Sequence, residues 1–386
     1  MLPLILILLY MQPTRAQTGQ VVQGIVYHDK NKNGQRDKDE AGLAGVAVSD
    51  QVQVVLTDSK GHYEIQSRGN QGFVIVSLPE GYFTKIWWQK ISTTNDFALV
   101  AVPVKSSFTF IHASDTHISE KSLDRMEKLR AIVNQLQPDF ILVTGDLVKD
   151  ALRVSEKEAT GYYDLYLREL TKFTVPVWSV PGNHEIFGIE RHLSLVSKTH
   201  PLYGKKMYHQ YLGPNYYSFN FGGLHFIGLD NVDFEDLWYY GHIDSVQLKW
   251  LKADLAQVPA TTPVIPFGHI PFYSGGLSMN SFTEEGPSRT LERESGKLQF
   301  RHVVSNAGEV MDLLQSHPLP LVLTGHYHAR QVFWYESSGQ KTRYEQTGAV
   351  VEANRHGDEL LPSGVTLYKV TNGKLEEGQF IPLDKK

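Results

Sequence analysis

Asp, Asn and His residues stand in five short motifs down this chain: Asp115-Thr116-His117, Gly145-Asp146, Gly182-Asn183-His184-Glu185, His269 after Phe267-Gly268, and Gly325-His326-Tyr327-His328. Neutral imidazole and carboxylate suit borderline ions such as Zn, Mn or Fe, and the absence of Cys excludes a thiolate site. Two such ions roughly 3.5–4 Å apart can clamp a phosphoryl oxygen and deliver a hydroxide for in-line attack. Ions that close need a shared ligand, and a carboxylate can bridge them with its two oxygens. Asp146, alone at the end of its motif, suits that role.

Each motif follows an apolar run: FTFIHASDTH, DFILVTGD, VPVWSVPGNHE, TPVIPFGHIP and PLPLVLTGHYH. Five hydrophobic strands that each release a polar ligand at the C-terminal end predict an α/β sheet gathering them at one rim. Between the first two, LDRMEKLRAIVNQL puts Leu123, Met126, Leu129, Ile132, Val133 and Leu136 on one helical face. Strand, helix and strand then repeat up to Asn183. Tyr217 to Asp230 reads as two strands around Gly222-Gly223, Ser245 to Val258 as an amphipathic helix, and QVFWYE, TRYEQTG and GVTLYKV as β structure.

These motifs, in this order, resemble the calcineurin-like metallophosphoesterases over roughly residues 106 to 375. The resemblance implies a four-layer αββα sandwich, a first metal held by Asp115, His117, Asp146 and His328, and a second held by Asp146, Asn183, His269 and His326. It implies that His184 lies near the leaving-group oxygen as general acid or transition-state stabiliser. The segments LGPNYYSFNFGGLHFIGLDN and SVQLKWLKADLAQ resemble the family's secreted and cyclic-nucleotide-diesterase-like branches.

Bland alternatives apply to single residues. Asp115 or Asp146 alone could cap a helix, and Glu185 could orient a ligand or cap a turn. His225 in an apolar strand reads as structural, and His112 should face away from Asp115. Two caps would not explain His117 and the later motifs.

The chain is long enough for two domains. With 41 % hydrophobic and 11 % aromatic residues it can fill packed cores, and a net charge of −5 argues against a nucleic-acid polymer as partner. A small phosphoester remains compatible. The N-terminal run LPLILILLY is too short to span a bilayer, and Pro13-Thr14-Arg15-Ala16 follows it, so residues 1–16 read as a secretory signal peptide. The expectation is a secreted or periplasmic protein without a transmembrane anchor, disulfide or lipidation cysteine. No oligomeric state follows from these features.

Residues 20–103 are an expected all-β sandwich domain: short strand-like runs with turn residues between them. The pattern Gly24-x-Val26, Gly42-x-x-Gly45-Val46 and Thr57-Asp58-x-x-Gly61-x-Tyr63 resembles the immunoglobulin-like modules of bacterial surface proteins and carboxypeptidase regulatory domains. Asp29, Asn31, Asn33, Asp37 and Glu40, with Gly34 at position six, fit the twelve-position calcium loop. A structural calcium or a hydrophilic turn would account for it. Residues 281–301 form a polar segment that reads as a lid offering Arg289, Arg293 or Arg301 to a phosphate, or as a solvated insertion.

The function expected of residues 106–386 is binuclear metal-dependent phosphoester hydrolysis by metal-bound hydroxide attack on phosphorus. A phosphodiester is slightly favoured over the alternative, a broad phosphomonoesterase. From another class, the rival is a calcium-dependent adhesin or glycan-binding protein carrying a degenerate hydrolase scaffold.

Overall fold

The computed structural model describes residues 20–67, 72–275, 291–294, 297–337, 339–356 and 359–384. The expected signal peptide lies outside these residues. No helix among them is long and apolar enough to cross a membrane.

The N-terminal runs form two four-stranded sheets. One has the order His62–Ser67, Gln20–His28, Phe97–Ala101, Tyr82–Phe83, and the other Val54–Leu56, Ala47–Ser49, Phe73–Val76, Trp88–Lys90. Alternation fixes the inward face: in His62–Ser67, Tyr63 and Ile65 are buried between exposed His62, Glu64 and Gln66. Val22, Val26, Ile65, Phe97 and Leu99 from the first sheet share a core with Val48, Val74 and Val76 from the second.

That core does not stop at the end of the module. It continues into Phe108, Phe110, Phe140, Trp178 and Phe219 of the following part of the chain. Trp87 packs on Tyr217 with ring centroids 4.5 Å apart and on Trp178 at 5.3 Å. Polar groups match as well. Tyr216 Oη donates to the Gln51 carbonyl at 2.5 Å, Gln51 Nε2 donates back to the Tyr216 carbonyl at 3.0 Å, and the backbone N–H of Asn220 donates to the Leu78 carbonyl at 2.9 Å. The calcium-loop candidate follows Gln20–His28, in the other sheet from the one bearing Phe73–Val76 and Trp88–Lys90.

Two mixed six-stranded sheets build the C-terminal part. The first runs Val177–Val180, Phe140–Thr144, Phe108–Ala113, Gly364–Thr371 and Lys374–Leu375, with Gln379–Pro382 also paired to Gly364–Thr371. The second runs Tyr217–Phe221, Leu224–Gly228, Val264–Phe267, Leu321–Thr324, Gln340–Gln346 and Gln331–Ser337. Phe110 and Phe140 from the first and Phe226 and Phe267 from the second meet in the shared core. Strands buried on both faces read as continuous apolar runs for this reason.

Helix Leu123–Leu136 covers the opposite face of the first sheet with Met126, Leu129 and Val133, joined by Ala159, Tyr163 and Tyr166 of helix Glu156–Leu170. Ser155 caps the latter, its hydroxyl accepting the Glu158 N–H. Helices Ser245–Leu255 and Ala307–Leu314 pack Trp250, Leu251, Val310 and Met311 with Ile227, Val264 and Val322 of the second sheet. Asp244 accepts the N–H groups of Val246 and Gln247 and starts the first of these helices.

Candidate metal centre

All five motifs meet at one rim. Strands Phe108–Ala113, Phe140–Thr144 and Val177–Val180 run parallel and end just before Asp115, Asp146 and Asn183. Val264–Phe267 and Leu321–Thr324, parallel in the second sheet, end just before His269 and His326. Neither aspartate caps a helix: Asp115 Oδ2 accepts the His326 N–H at 3.0 Å, and Asp146 Oδ1 accepts the His184 N–H at 2.9 Å.

Three overlapping groups hold donor atoms within 4.8 Å of one another: Asp115, His117 and His328; His117, Asp146 and His184; and Asp146, His269 and His326. Asp146 belongs to two of them, with Oδ2 3.2 Å from His269 Nε2 and 3.6 Å from His117 Nε2. Nε2 of His117 and Nε2 of His328 are 3.0 Å apart, and His328 Nε2 is 3.3 Å from Asp115 Oδ1. Asn183 Oδ1 is 3.1 Å from His269 Nε2. Every residue expected as a transition-metal ligand is therefore in the cluster.

The hydrogen bonds behind the rings say what the front must hold. His269 Nδ1 lies 2.7 Å from the Thr144 carbonyl, which can only accept, so Nδ1 carries hydrogen and Nε2 has the lone pair when the ring is neutral. That lone pair would face the Asn183 and Asp146 oxygens. Acceptor against acceptor is repulsive unless a second ring proton or a metal cation sits between them, and the donor set can accommodate either. The buried Asp115 Oδ1, which makes no good hydrogen bond, points to the same need.

The electrostatics divide the rings, with His269 and His328 raised, against burial, by the carboxylates beside them and His117 and His326 lowered by burial. Burial alone would raise the Asp146 carboxyl, but the imidazoles of His269 and His184 hold it well below the usual carboxylate range. Burial likewise opposes charge on His269, yet Asp146 raises it to about 9. Burial, aided by His184, lowers His117 to about 4, and burial lowers His326 well below the ordinary value, so both rings favour the neutral, ligating form.

His184 is partly exposed, with 21 % of its side chain accessible against 25 % for His328. Nδ1 is held 2.7 Å from the Lys149 carbonyl, while Nε2 faces the site 3.9 Å from Asp146 Oδ2. Glu185 does both things considered for it: it braces the neighbouring loop, and through the Gly182 N–H it caps the turn Asn183–Glu185. Oε1 accepts the N–H groups of Leu147 and Val148 at 2.8 and 3.0 Å, and Oε2 accepts that of Gly182 at 2.6 Å. Burial, then Asp146, pushes its carboxyl up to about 8.

Such convergence strains the backbone. Asp115, His117, Asp146, His326 and His328 all have positive φ, between 37° and 79°. Conformations of this kind cost of order 1–3 kcal/mol each and persist where surrounding contacts over-determine them. Two motif glycines are needed for close approach. A Cβ on Gly182 would lie 2.3 Å from Asp146 Oδ1, and one on Gly325 1.8 Å from Ser114 Oγ.

Residues without a motif complete the surroundings. Asn231 Oδ1 accepts the N–H groups of His269 and Ile270. His302 Nδ1 is 2.8 Å from His326 Nε2, and the Arg301 guanidinium lies over Tyr239 at 4.4 Å and Trp238 at 5.0 Å. Tyr239 meets His326 edge to face at 6.2 Å. Nothing in the sequence marked Asn231 or His302, because isolated Asn and His residues carry no spacing signal. Of the polar segment read as a lid or a solvated insertion, Arg289 lies outside the described residues and only the backbone of Arg293 is described. His112, as expected, is structural: Nε2 pairs with Thr144 Oγ1 at 2.9 Å. His225 is too, bound to Asp254 Oδ2 at 2.9 Å.

In the calcium-loop candidate, Asp29 accepts the N–H groups of Asn33 and Gly34, and the amides of Asn31 and Asn33 both donate to Asp37 Oδ2. Glu40 Oε1 and Oε2 accept the N–H groups of Lys30 and Asp37. Asp29 and Glu40 are buried.

Comparison with known proteins follows this division of the chain. Residues 30–98 match the profile described as the N terminal of calcineurin-like phosphoesterase. Purple acid phosphatase 15 of Arabidopsis thaliana is 29 % identical over 192 residues, 48 % of this chain and 29 % of that protein. Serine-aspartate repeat-containing protein F of Staphylococcus epidermidis is 41 % identical over 64 residues, 15 % of this chain and 4 % of that protein. The chain thus spans less than a third of the length of these curated relatives. Among solved structures, GAP50, the anchor in the inner membrane complex of Plasmodium, superposes with a TM-score of 0.43 at 14 % identity, covering 73 % of this chain and 86 % of that one. Residues 108–330, more than half of the chain and the span that contains every candidate transition-metal ligand, match the calcineurin-like phosphoesterase profile, and the chain belongs to that family.

Proposed function

We propose that this protein is a binuclear metal-dependent phosphoester hydrolase. The observation that carries the reading is the pair of donor groups sharing Asp146, with Nε2 of His117 and of His269 turned toward its carboxylate. Asp115, His117, Asp146 and His328 would hold one ion, and Asp146, Asn183, His269 and His326 the other. Bound there, ions such as Mn, Fe or Zn would supply positive charge for phosphoryl oxygens and a more acidic water nucleophile.

The chain's own residues supply the rest. Lys149, through its carbonyl, orients His184 so that Nε2 faces the cluster, from where it would deliver a proton to the departing alkoxide oxygen. The His184 backbone N–H fixes Asp146 Oδ1, leaving Oδ2 turned toward His117 and His269. Glu185 ties the loop bearing Asp146 to the one bearing Asn183, so both ligands share one rigid support.

Within this reading, residues 106–386 form a four-layer αββα sandwich, and residues 20–103 an immunoglobulin-like module with calcium held by Asp29, Asn31, Asn33, Asp37 and Glu40. Residues 1–16 direct secretion or periplasmic export. The substrate is a small phosphoester, with a diester slightly favoured. Metal analysis of the purified protein, followed by assays on generic monoesters, diesters and cyclic nucleotides with Mn or Zn, tests it. About two transition-metal ions per chain and turnover of at least one ester class are expected. A chain that binds no ion in metal-replete medium is a scaffold, and the reading fails.

A further inference from the structure

Nδ1 of His326 faces the cluster, 3.1 Å from His269 Nε2, while its other nitrogen is 2.8 Å from His302 Nδ1. A neutral imidazole carries a single N–H. If Nδ1 offers its lone pair to a cation shared with Asp146 and His269, the hydrogen must be on Nε2 and must be donated to His302 Nδ1. His302 then keeps its own hydrogen on Nε2. The opposite arrangement, with His302 donating to His326 Nε2, turns a hydrogen from His326 Nδ1 into the cluster and abolishes the ligand. The state of His302 thus selects between a ligating and a non-ligating His326.

The support for His302 is rigid. Its neighbour Arg301 lies over the rings of Tyr239 and Trp238. Two residues on, the Val304 N–H donates to the Pro271 carbonyl at 3.0 Å, and the Ser305 N–H donates to the Gly241 carbonyl at 2.8 Å. The segment is pinned on one side to the loop after His269 and on the other to the Trp238–Gly241 strand. His326 itself is held by its backbone N–H on Asp115 Oδ2.

We infer that His302 is a positioning residue that holds His326 in the tautomer able to bind the second metal ion. This rests on the binuclear reading given above. Ligating histidines commonly have the second ring nitrogen fixed by such a partner, and losing the partner typically costs 10- to 100-fold in metal affinity.

The test is zinc binding by the full chain after chelator stripping, measured by competition with a chromophoric chelator for wild type, His302→Leu and His302→Asn. Asn places a carbonyl acceptor at the chain length of Nδ1. Wild type is expected to bind two zinc ions. His302→Leu should keep one and bind the other about 10- to 100-fold more weakly, and His302→Asn should recover most of that loss. In 15N spectra of the imidazoles, zinc should produce a His326 ring metallated at Nδ1 with hydrogen on Nε2 in wild type. Two zinc ions bound to His302→Leu with wild-type affinity overturn the inference while leaving the binuclear reading intact. So does an Asn variant no better than Leu, which would reduce His302 to packing. A wild-type chain that binds no zinc removes the binuclear reading, and the inference with it.

Discussion

Glu185 gives the most demanding test of how the centre is held together. Its two carboxylate oxygens accept three buried backbone N–H groups, from Leu147, Val148 and Gly182, and no other side chain serves these donors. In Glu185→Ala all three lose their acceptor, each at about 1–3 kcal/mol when left unmade. Allowing for some relaxation, the expected loss of stability is about 3–6 kcal/mol, at the upper end of single-substitution effects. Glu185→Gln should cost less, about 2–3 kcal/mol, because its amide oxygen can still serve Leu147 and Val148 while the NH2 meets the Gly182 N–H donor to donor. Urea unfolding followed by tryptophan fluorescence measures both. The same loops carry Asp146 and Asn183, so metal affinity in the Ala variant should fall roughly 10- to 100-fold. A cost below about 1 kcal/mol for Ala, or equal costs for Ala and Gln, would refute the brace.

Asp146→Asn should reduce binding of both ions and abolish turnover, whereas Asp115→Asn should mainly weaken one; metal analysis that finds a single ion lost from Asp146→Asn removes the bridge. His184→Ala should lower kcat roughly 10²- to 10⁴-fold with metal content retained, the penalty shrinking for esters with good leaving groups; collapse of metal occupancy would make it a ligand. Burial lowers His209 to about 4 despite help from Asn215. Between pH 6.5 and 4 the unfolded chain therefore binds a proton that the folded chain refuses, and stability falls with pH by up to about 1.4 kcal/mol per unit. Urea unfolding at pH 7.5 and 5 should show a shallower dependence in His209→Leu, and identical slopes count against the assignment. Calcium should raise the melting temperature of wild type as it exceeds its dissociation constant, but not that of Glu40→Ala, with hydrolysis nearly unchanged in both; a flat wild-type curve from micromolar to millimolar calcium leaves the loop a hydrophilic turn.

That these Asp, Asn and His side chains gather at one rim was legible in the sequence because local rules place the strand endings. Strand endings at Ala113, Thr144, Val180, Phe267 and Thr324 follow from apolar runs stopped by polar or glycine residues, and a parallel sheet brings such endings to one rim. Helix Leu123–Leu136 likewise follows from its apolar spacing. What the motifs cannot express is contact between residues far apart in the chain. The 2.8 Å approach of His302 to His326, the Asn231 carbonyl under His269 and Ile270, and the seam joining Gln51 and Trp87 to Tyr216 and Tyr217 arise when separate strands pack. Single Asn, His and Trp residues have no spacing that announces such partners. The positive φ of Asp115, His117, Asp146, His326 and His328 belongs to the same class. Local preference disfavours those angles for histidine, and only tertiary contacts, including the close approaches allowed at Gly182 and Gly325, offset the strain. Sequence by itself therefore determined which side chains could bind metal and in what order. The fold decided which nitrogen each histidine turns inward, because that depends on the carbonyl or ring behind it.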